Sequence, residues 1–135
     1  WISRTFRKSM QIFGLSILAG LALLAVSGFF FKAWVGDSVT IPLEVSACVL
    51  LYVCSFNFAN CAAYLLNGFN KIRVQIILSI VTTILYLVVV MTFAGSHGIT
   101  GITLSMAAVY IISGCVYTYQ ARLLMTRRAT GIWGK

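Results

Sequence analysis

The stretch Val74–Phe93, VQIILSIVTTILYLVVVMTF, contains no Asp, Glu, Lys, Arg or His. An α-helix rises about 1.5 Å per residue, so about 20 residues cross the hydrocarbon layer of a membrane, which is about 30 Å thick. A strand of a membrane β-barrel would instead alternate polar and apolar residues over about ten positions. This stretch therefore predicts a membrane-spanning helix.

Three further apolar runs of similar length flank this stretch, at about residues 12–35, 43–66 and 98–121. The first is interrupted only by Lys32. Short separators at 36–42, 67–73 and 94–97 carry Gly and Pro and force successive helices to run antiparallel. The sequence predicts an all-α integral membrane bundle of four antiparallel helices. The chain is predicted to form a single membrane region over residues 1–135, with a cytoplasmic tail at 122–135.

The composition of the whole chain agrees with this prediction. Hydrophobic residues make up 61% of the chain and charged residues 9%, and the mean hydropathy is +1.00. Soluble domains carry about 25% charged residues, and disordered chains have low hydrophobicity. The net charge of +8 comes from short basic clusters between apolar runs, which orient helices rather than bind nucleic acid. The predicted surroundings are the lipid bilayer, with no nucleic-acid partner.

The basic residues also predict the orientation of the helices. Four spans place both termini and the middle loop on one side, which then holds nine of the ten basic residues. Lys32 falls on the other side with both acids, Asp37 and Glu44. Short basic loops stay in the cytoplasm, so both termini are predicted to be cytoplasmic.

Polar side chains recur on single faces of three predicted spans, at helical spacing. In the second span they are Asn57, Asn60, Tyr64 and Asn67. In the third they are Gln75, Ser79, Thr82 and Tyr86. In the fourth they are Thr103, Tyr110, Ser113, Tyr117 and Gln120. Two interpretations remain open: these groups join helices through hydrogen bonds, or they line a path for a polar cargo.

Four residues are the candidates for such a substrate path. Asn57 and Asn60 lie near the middle of their span, where an unpaired amide is most costly, and Tyr64 shares their face. Lys32 lies close to a helix end, where it either extends to the membrane surface or contacts an anionic cargo.

Enzymatic chemistry is not expected from this sequence. Asp37, Glu44 and His97 lack the spacing of a metal site, and no nucleotide-binding loop or serine elbow occurs. The four cysteines resemble neither a zinc pattern nor a disulfide framework. We therefore expect neither a metal nor a cofactor.

Three segments of the chain resemble a known transporter family. Residues 64–75, YLLNGFNKIRVQ, resemble the cytoplasmic helix–loop–helix of bacterial polysaccharide flippases. Residues 98–104, GITGITL, are similar to the entry of a late span in those proteins. Residues 32–36, KAWVG, followed by Ile41 and Pro42, resemble their short external corner. The family is that of the Wzx-type O-antigen flippases, within the superfamily of the multidrug and toxin extrusion (MATE) transporters.

The resemblance implies a larger MATE-like transporter in the bacterial inner membrane that moves a polyprenyl-diphosphate-linked oligosaccharide for surface polysaccharide synthesis. The chain begins with Trp1 rather than Met and is interpreted as a carboxyl-terminal fragment, packed against the remaining spans of the full-length chain. Two alternatives remain open. One is a multidrug or cation antiporter of the same superfamily, which needs an ionisable residue within the membrane in the missing amino-terminal part. The other is a small GtrA-like four-span accessory protein.

Overall fold

Three helical segments and one short turn make up the computed structural model, which describes residues 2–36 and 41–134, and the side chains of all of these except 2, 3 and 94. Helix α1 is Ile2–Val35, α2 is Leu43–Gly68 and α3 is Arg73–Met125, and a 3-10 turn follows at Gly131–Gly134. No strand occurs in the described ranges. The prediction of an all-α chain is confirmed.

Helix α3 consists of two arms. Its conformation leaves the helical region at Gly98, where φ is 54° and ψ is −136°. We call residues 73–97, before this break, the first arm and residues 99–125, after it, the second arm. Residues 94–97, predicted to be a separator, are helical, and the break is confined to one residue because glycine without a Cβ tolerates this conformation.

Within the residues that the structure describes, four helical stretches are long and apolar enough to cross a membrane. They are Arg4–Val35, Leu43–Gly68, Arg73–Phe93 and Gly95–Met125. Each contains one predicted span, and the first and last extend well beyond it because basic residues that flank the apolar runs still continue the helix. The four-helix membrane bundle is thus confirmed.

Large apolar side chains cover the outside of the helices. Met91 is 85% exposed, Phe29 76% and Ile12 69%. The fully buried positions are mostly small residues such as Ala62 and Ala121. Soluble monomers rarely expose contiguous apolar patches larger than a few hundred Å², so a surface of this kind requires lipid or further membrane helices around it.

Helix α2 is the central element of the packing, since it contacts α1 and makes the main contact with α3. The rings of Phe13 and Phe58 lie 6.0 Å apart, and Gly20 lies against Leu50, so α1 and α2 are antiparallel. In the second arm, Tyr110 lies 5.0 Å from Phe56 between ring centres.

Gly114 lies one turn further along the second arm and packs against Phe58 and Ala59. The contacts of Tyr110 and Gly114 therefore advance in the same direction on both helices, so the second arm runs parallel to α2. A Cβ at position 114 would meet the Phe58 ring and lie 3.3 Å from the Ala59 Cα. Small residues of this kind let membrane helices approach closely.

The antiparallel passes place most basic side chains at one end of the bundle, which we call the basic end. Its described members are Arg4, Arg7, Lys8, Lys71, Arg73, Arg122, Arg127 and Arg128. Lys32 and Glu44 lie at the opposite end, while Asp37 and Lys135 fall outside the described residues. The charge asymmetry predicts that the basic end is cytoplasmic.

Candidate functional site

A polar cavity of about 390 Å³ lies between α2 and the two arms of α3. Its polar lining in the first arm consists of Gln75, Ser79, Thr82, Thr83 and Tyr86. In the second arm it consists of Tyr110, Ser113 and Tyr117, and α2 adds Asn60. Polar residues that the sequence pattern marked on the third and fourth spans thus meet at one cavity with a single marked residue of the second span, Asn60.

The two arms reach the cavity as an antiparallel pair. Gln75 near the start of the first arm and Tyr117 near the end of the second both line it, as do Tyr86 and Met106 closer to the break at Gly98. A single glycine therefore brings two polar faces of one continuous segment together. Gly101 helps at the same bend, because a Cβ there would lie 2.9 Å from the His97 Cβ.

The serine and threonine hydroxyls of the cavity donate hydrogen bonds within their own helices. Ser79 donates to the Ile76 carbonyl at 2.9 Å, and Ser113 to the Val109 carbonyl at 2.9 Å. Thr82 likewise donates to the carbonyl four residues earlier, at 2.7 Å. This pattern is common for Ser and Thr within helices. These hydroxyls therefore do not cross-link the spans as donors, and their oxygens retain lone pairs that can accept from a cargo.

One amide of the cavity does connect two helices. Gln75 Nε2 donates to the Ala63 carbonyl of α2 at 3.3 Å. On the facing arm, the Tyr110 ring meets the edge of Phe56 at 87° and lies 5.9 Å from Tyr52. Both sides of the cavity are thus attached to α2, by a hydrogen bond on one arm and by aromatic packing on the other.

The cavity is polar but uncharged. No Asp, Glu, Lys, Arg or His is among the described residues that line it. Apolar side chains, among them Phe56 and Val109, form the rest of its wall. Amides, hydroxyls and tyrosine rings can donate to and accept from a neutral hydroxylated ligand, and the volume lies within the range of about 300–1,000 Å³ that is usual for ligand sites.

The four predicted substrate-path residues do not form one cluster. Asn60 lines the polar cavity and also a second groove of about 530 Å³ between α1 and α2. Asn57 and Tyr64 line that groove, and Asn57 also lines a third, mostly apolar groove of about 550 Å³ between the same helices. Neither of these two residues lines the polar cavity.

Lys32 is separated from the other predicted residues. Ser16 lies beside Asn57 in both grooves, and Lys32 lies sixteen residues further along α1, which corresponds to about 24 Å of helix. Its side chain is exposed at the end opposite to the basic end.

Some of the cavity lining was missed by the sequence pattern. Thr83 neighbours Thr82 and was passed over because it falls about 100° around the helix from the polar face. Conversely, Thr103 and Gln120 share the predicted face of the fourth span but do not line the cavity. Gln120 instead donates from Nε2 to the Trp133 carbonyl at 3.1 Å, because the chain folds back beyond α3.

No group of three His, Cys, Asp or Glu residues comes together in the ranges that the structure describes. Glu44 and His97 belong to these ranges, whereas Asp37, the third member of the conceivable metal set, lies outside them. All four cysteines are free, and Cys115 is exposed.

Comparisons of the chain with protein-family models, curated proteins and solved structures give no match.

Proposed function

We propose that this chain forms part of a membrane transporter that moves a polyprenyl-diphosphate-linked oligosaccharide across the bacterial inner membrane for surface polysaccharide synthesis. The observation that carries the proposal is the convergence of amide, hydroxyl and tyrosine side chains from α2 and both arms of α3 on one uncharged cavity. Polar groups within the membrane are costly and commonly mark the path of a substrate. Sugars present many hydroxyls, which such side chains can bind.

The resemblance of residues 64–75 to the helix–loop–helix of polysaccharide flippases supports the same cargo. In this segment α2 ends at Gly68, Asn70 adopts a φ of 55°, and α3 begins at Arg73. Asparagine tolerates the left-handed conformation that reverses the chain here. The segment thus forms a tight turn between two antiparallel helices.

Two alternatives stay open beside this proposal. An ion-coupled drug or cation antiporter requires an ionisable group at membrane depth. The described lining of the cavity contains none, so this alternative places that group in the remaining spans of the full-length chain. The exposed apolar surface suits lipid as well as further spans, so a larger transporter and a self-contained four-span protein both account for it. In the larger assembly, transport would proceed by rocking of one bundle against the other around a site at mid-depth.

The test compares two equal substitutions on α2. In cells whose surface polysaccharide depends on the full-length gene, Asn60→Leu removes an amide from the cavity, while Asn57→Leu changes only the grooves beside α1. We expect Asn60→Leu to lower export about threefold to tenfold, the equivalent of one hydrogen bond to the cargo. Asn57→Leu should leave it near the wild-type level.

Surface polysaccharide is measured by immunofluorescence, and the amount of transporter in the membrane by immunoblotting. Wild-type export by Asn60→Leu at an unchanged transporter level would refute the role of the cavity. Equal losses in both variants would place the cargo path in the grooves between α1 and α2 instead.

A further inference from the structure

The chain reverses immediately after α3, at the basic end. Arg127 adopts a φ of 56°, a left-handed conformation that is uncommon for a residue with a side chain. Its N–H donates to the Leu124 carbonyl at 3.1 Å, and the N–H of Arg128 donates to the Leu123 carbonyl at 2.9 Å. These two bonds form a Schellman motif, in which glycine usually occupies the left-handed position.

This reversal brings two arginines to one cleft. Arg128 returns towards the last turns of α3 and lines the cleft together with Arg122, Tyr119 and Thr126. Arg127, which makes the turn, does not line it. Arg122 and Arg128 are both exposed, so a ligand can reach their guanidinium groups.

The charge of this cleft is not compensated by the described part of the chain. Of the two acidic residues in the sequence, Glu44 lies at the opposite end of the bundle and Asp37 is outside the described residues, in the connection between α1 and α2. Guanidinium groups bind phosphate oxygens through paired hydrogen bonds, and two of them facing one cleft favour a phosphate between them.

The segment beyond the reversal is attached to the same place. The Trp133 ring meets the edge of Tyr119 at 82°, with 5.4 Å between centroids, and the Trp133 carbonyl accepts the hydrogen bond from Gln120. Gln120 is fully buried. Tyr and Trp are enriched at the level of lipid headgroups, which is where the end of a span and its basic residues lie.

An exposed apolar face leads from the membrane interior to the cleft. Ile112, Tyr119 and Leu123 follow one face of the second arm, and Ile112 and Tyr119 are 44% and 55% exposed. A molecule with a phosphate in the cleft can therefore lay an acyl chain along this face. We infer that the cleft of Tyr119, Arg122, Thr126 and Arg128 binds the phosphate of an anionic phospholipid at the basic end of the bundle.

The experiment uses Trp133 as its reporter. The variant Trp1→Phe/Trp34→Phe leaves Trp133 as the only tryptophan, and Trp34 is 85% exposed, so its replacement disturbs no packing. The full chain in neutral detergent micelles is titrated with phosphatidylglycerol. We expect a saturable change in Trp133 emission, because Trp133 packs on Tyr119 of the cleft, and no such change with phosphatidylcholine.

Two charge-matched double variants separate a built site from general attraction to negative lipid. Arg122→Gln/Arg128→Gln removes both arginines of the cleft, and Arg7→Gln/Arg127→Asn removes two others of the basic end. We expect the first to weaken phosphatidylglycerol binding at least tenfold and the second less than threefold. Helical content by circular dichroism is compared in all variants to establish that each one is folded.

Equal weakening in both double variants would overturn the site, since surface charge alone would then explain the attraction. A third titration uses inorganic phosphate without lipid. The same saturable emission change at millimolar inorganic phosphate would overturn the assignment to a lipid headgroup and identify a soluble anion as the ligand.

Discussion

Replacement of Gly114 by alanine tests the close approach of α2 and the second arm. The added methyl group would overlap the Phe58 ring and lie 3.3 Å from the Ala59 Cα. The ring could rotate away, but Ala59 contributes backbone, which yields only if the helices separate. Gly114 also follows Ser113 directly, so separation here would widen the polar cavity.

The expected cost follows from these two contacts. Added methyl groups in a tightly packed site destabilise by about 1–3 kcal/mol. Alanine at an open helical position does the opposite and gains up to about 1 kcal/mol over glycine. Gly28 in α1 offers that control, because a Cβ there meets nothing within 4 Å. Both substitutions gain the same helix propensity, so Gly114→Ala should be less stable than Gly28→Ala by roughly 1–3 kcal/mol, the cost of the overlap alone.

The assay is unfolding in mixed micelles with an increasing fraction of sodium dodecyl sulfate. Near-ultraviolet circular dichroism follows the aromatic cluster of Tyr52, Phe56 and Tyr110, which holds the two helices together one turn from Gly114. Phe58→Ala supplies a second control. In that background, alanine at position 114 should cost less, because the nearest obstacle is gone.

Equal stabilities of Gly114→Ala and Gly28→Ala would refute the close packing of α2 and the second arm. An unchanged penalty in the Phe58→Ala background would show that the Phe58 ring is not the obstacle.

Two further predictions concern the break in α3 and the segment after it. Gly98→Ala forces a side chain into a φ of 54° and a ψ of −136°, so it should destabilise the bundle by about 1–3 kcal/mol in the same titration, and a stability equal to wild type would contradict the strain at this residue. Gln120→Leu removes the donor to the Trp133 carbonyl, so acrylamide should quench Trp133 more strongly in the Trp1→Phe/Trp34→Phe background, whereas unchanged quenching would show that Tyr119 alone holds the segment.

The spans could be predicted from the sequence because the length of an apolar run is a local property. No charged residue interrupts 74–93, and the structure contains a helix there. The ends of the helices could not be predicted as well. Arg4, Arg7 and Lys8 continue α1 although they are basic, because hydrogen bonding along a helix does not stop where the apolar run stops.

The candidate site was predictable only as a set of faces. The periodicity placed Ser79, Thr82 and Tyr86 on one side of a helix, and they do line one cavity. It also placed Asn57 and Asn60 together, since three residues turn a helix by about 300° and leave the two side chains about 60° apart. Because of this angle of about 60°, Asn60 lines the polar cavity, whereas Asn57 lines only the grooves beside α1.

The sequence by itself thus determined the number of spans and their polar faces, since these depend on the order of residues along a single helix. The concentration of basic residues at one end then follows because successive spans reverse direction. Only the tertiary structure decided which faces meet. The rotation of each helix about its axis is set by contacts between distant residues, such as Gly114 against Phe58 and the Gln75 amide at the Ala63 carbonyl. Local periodicity carries no information about those contacts.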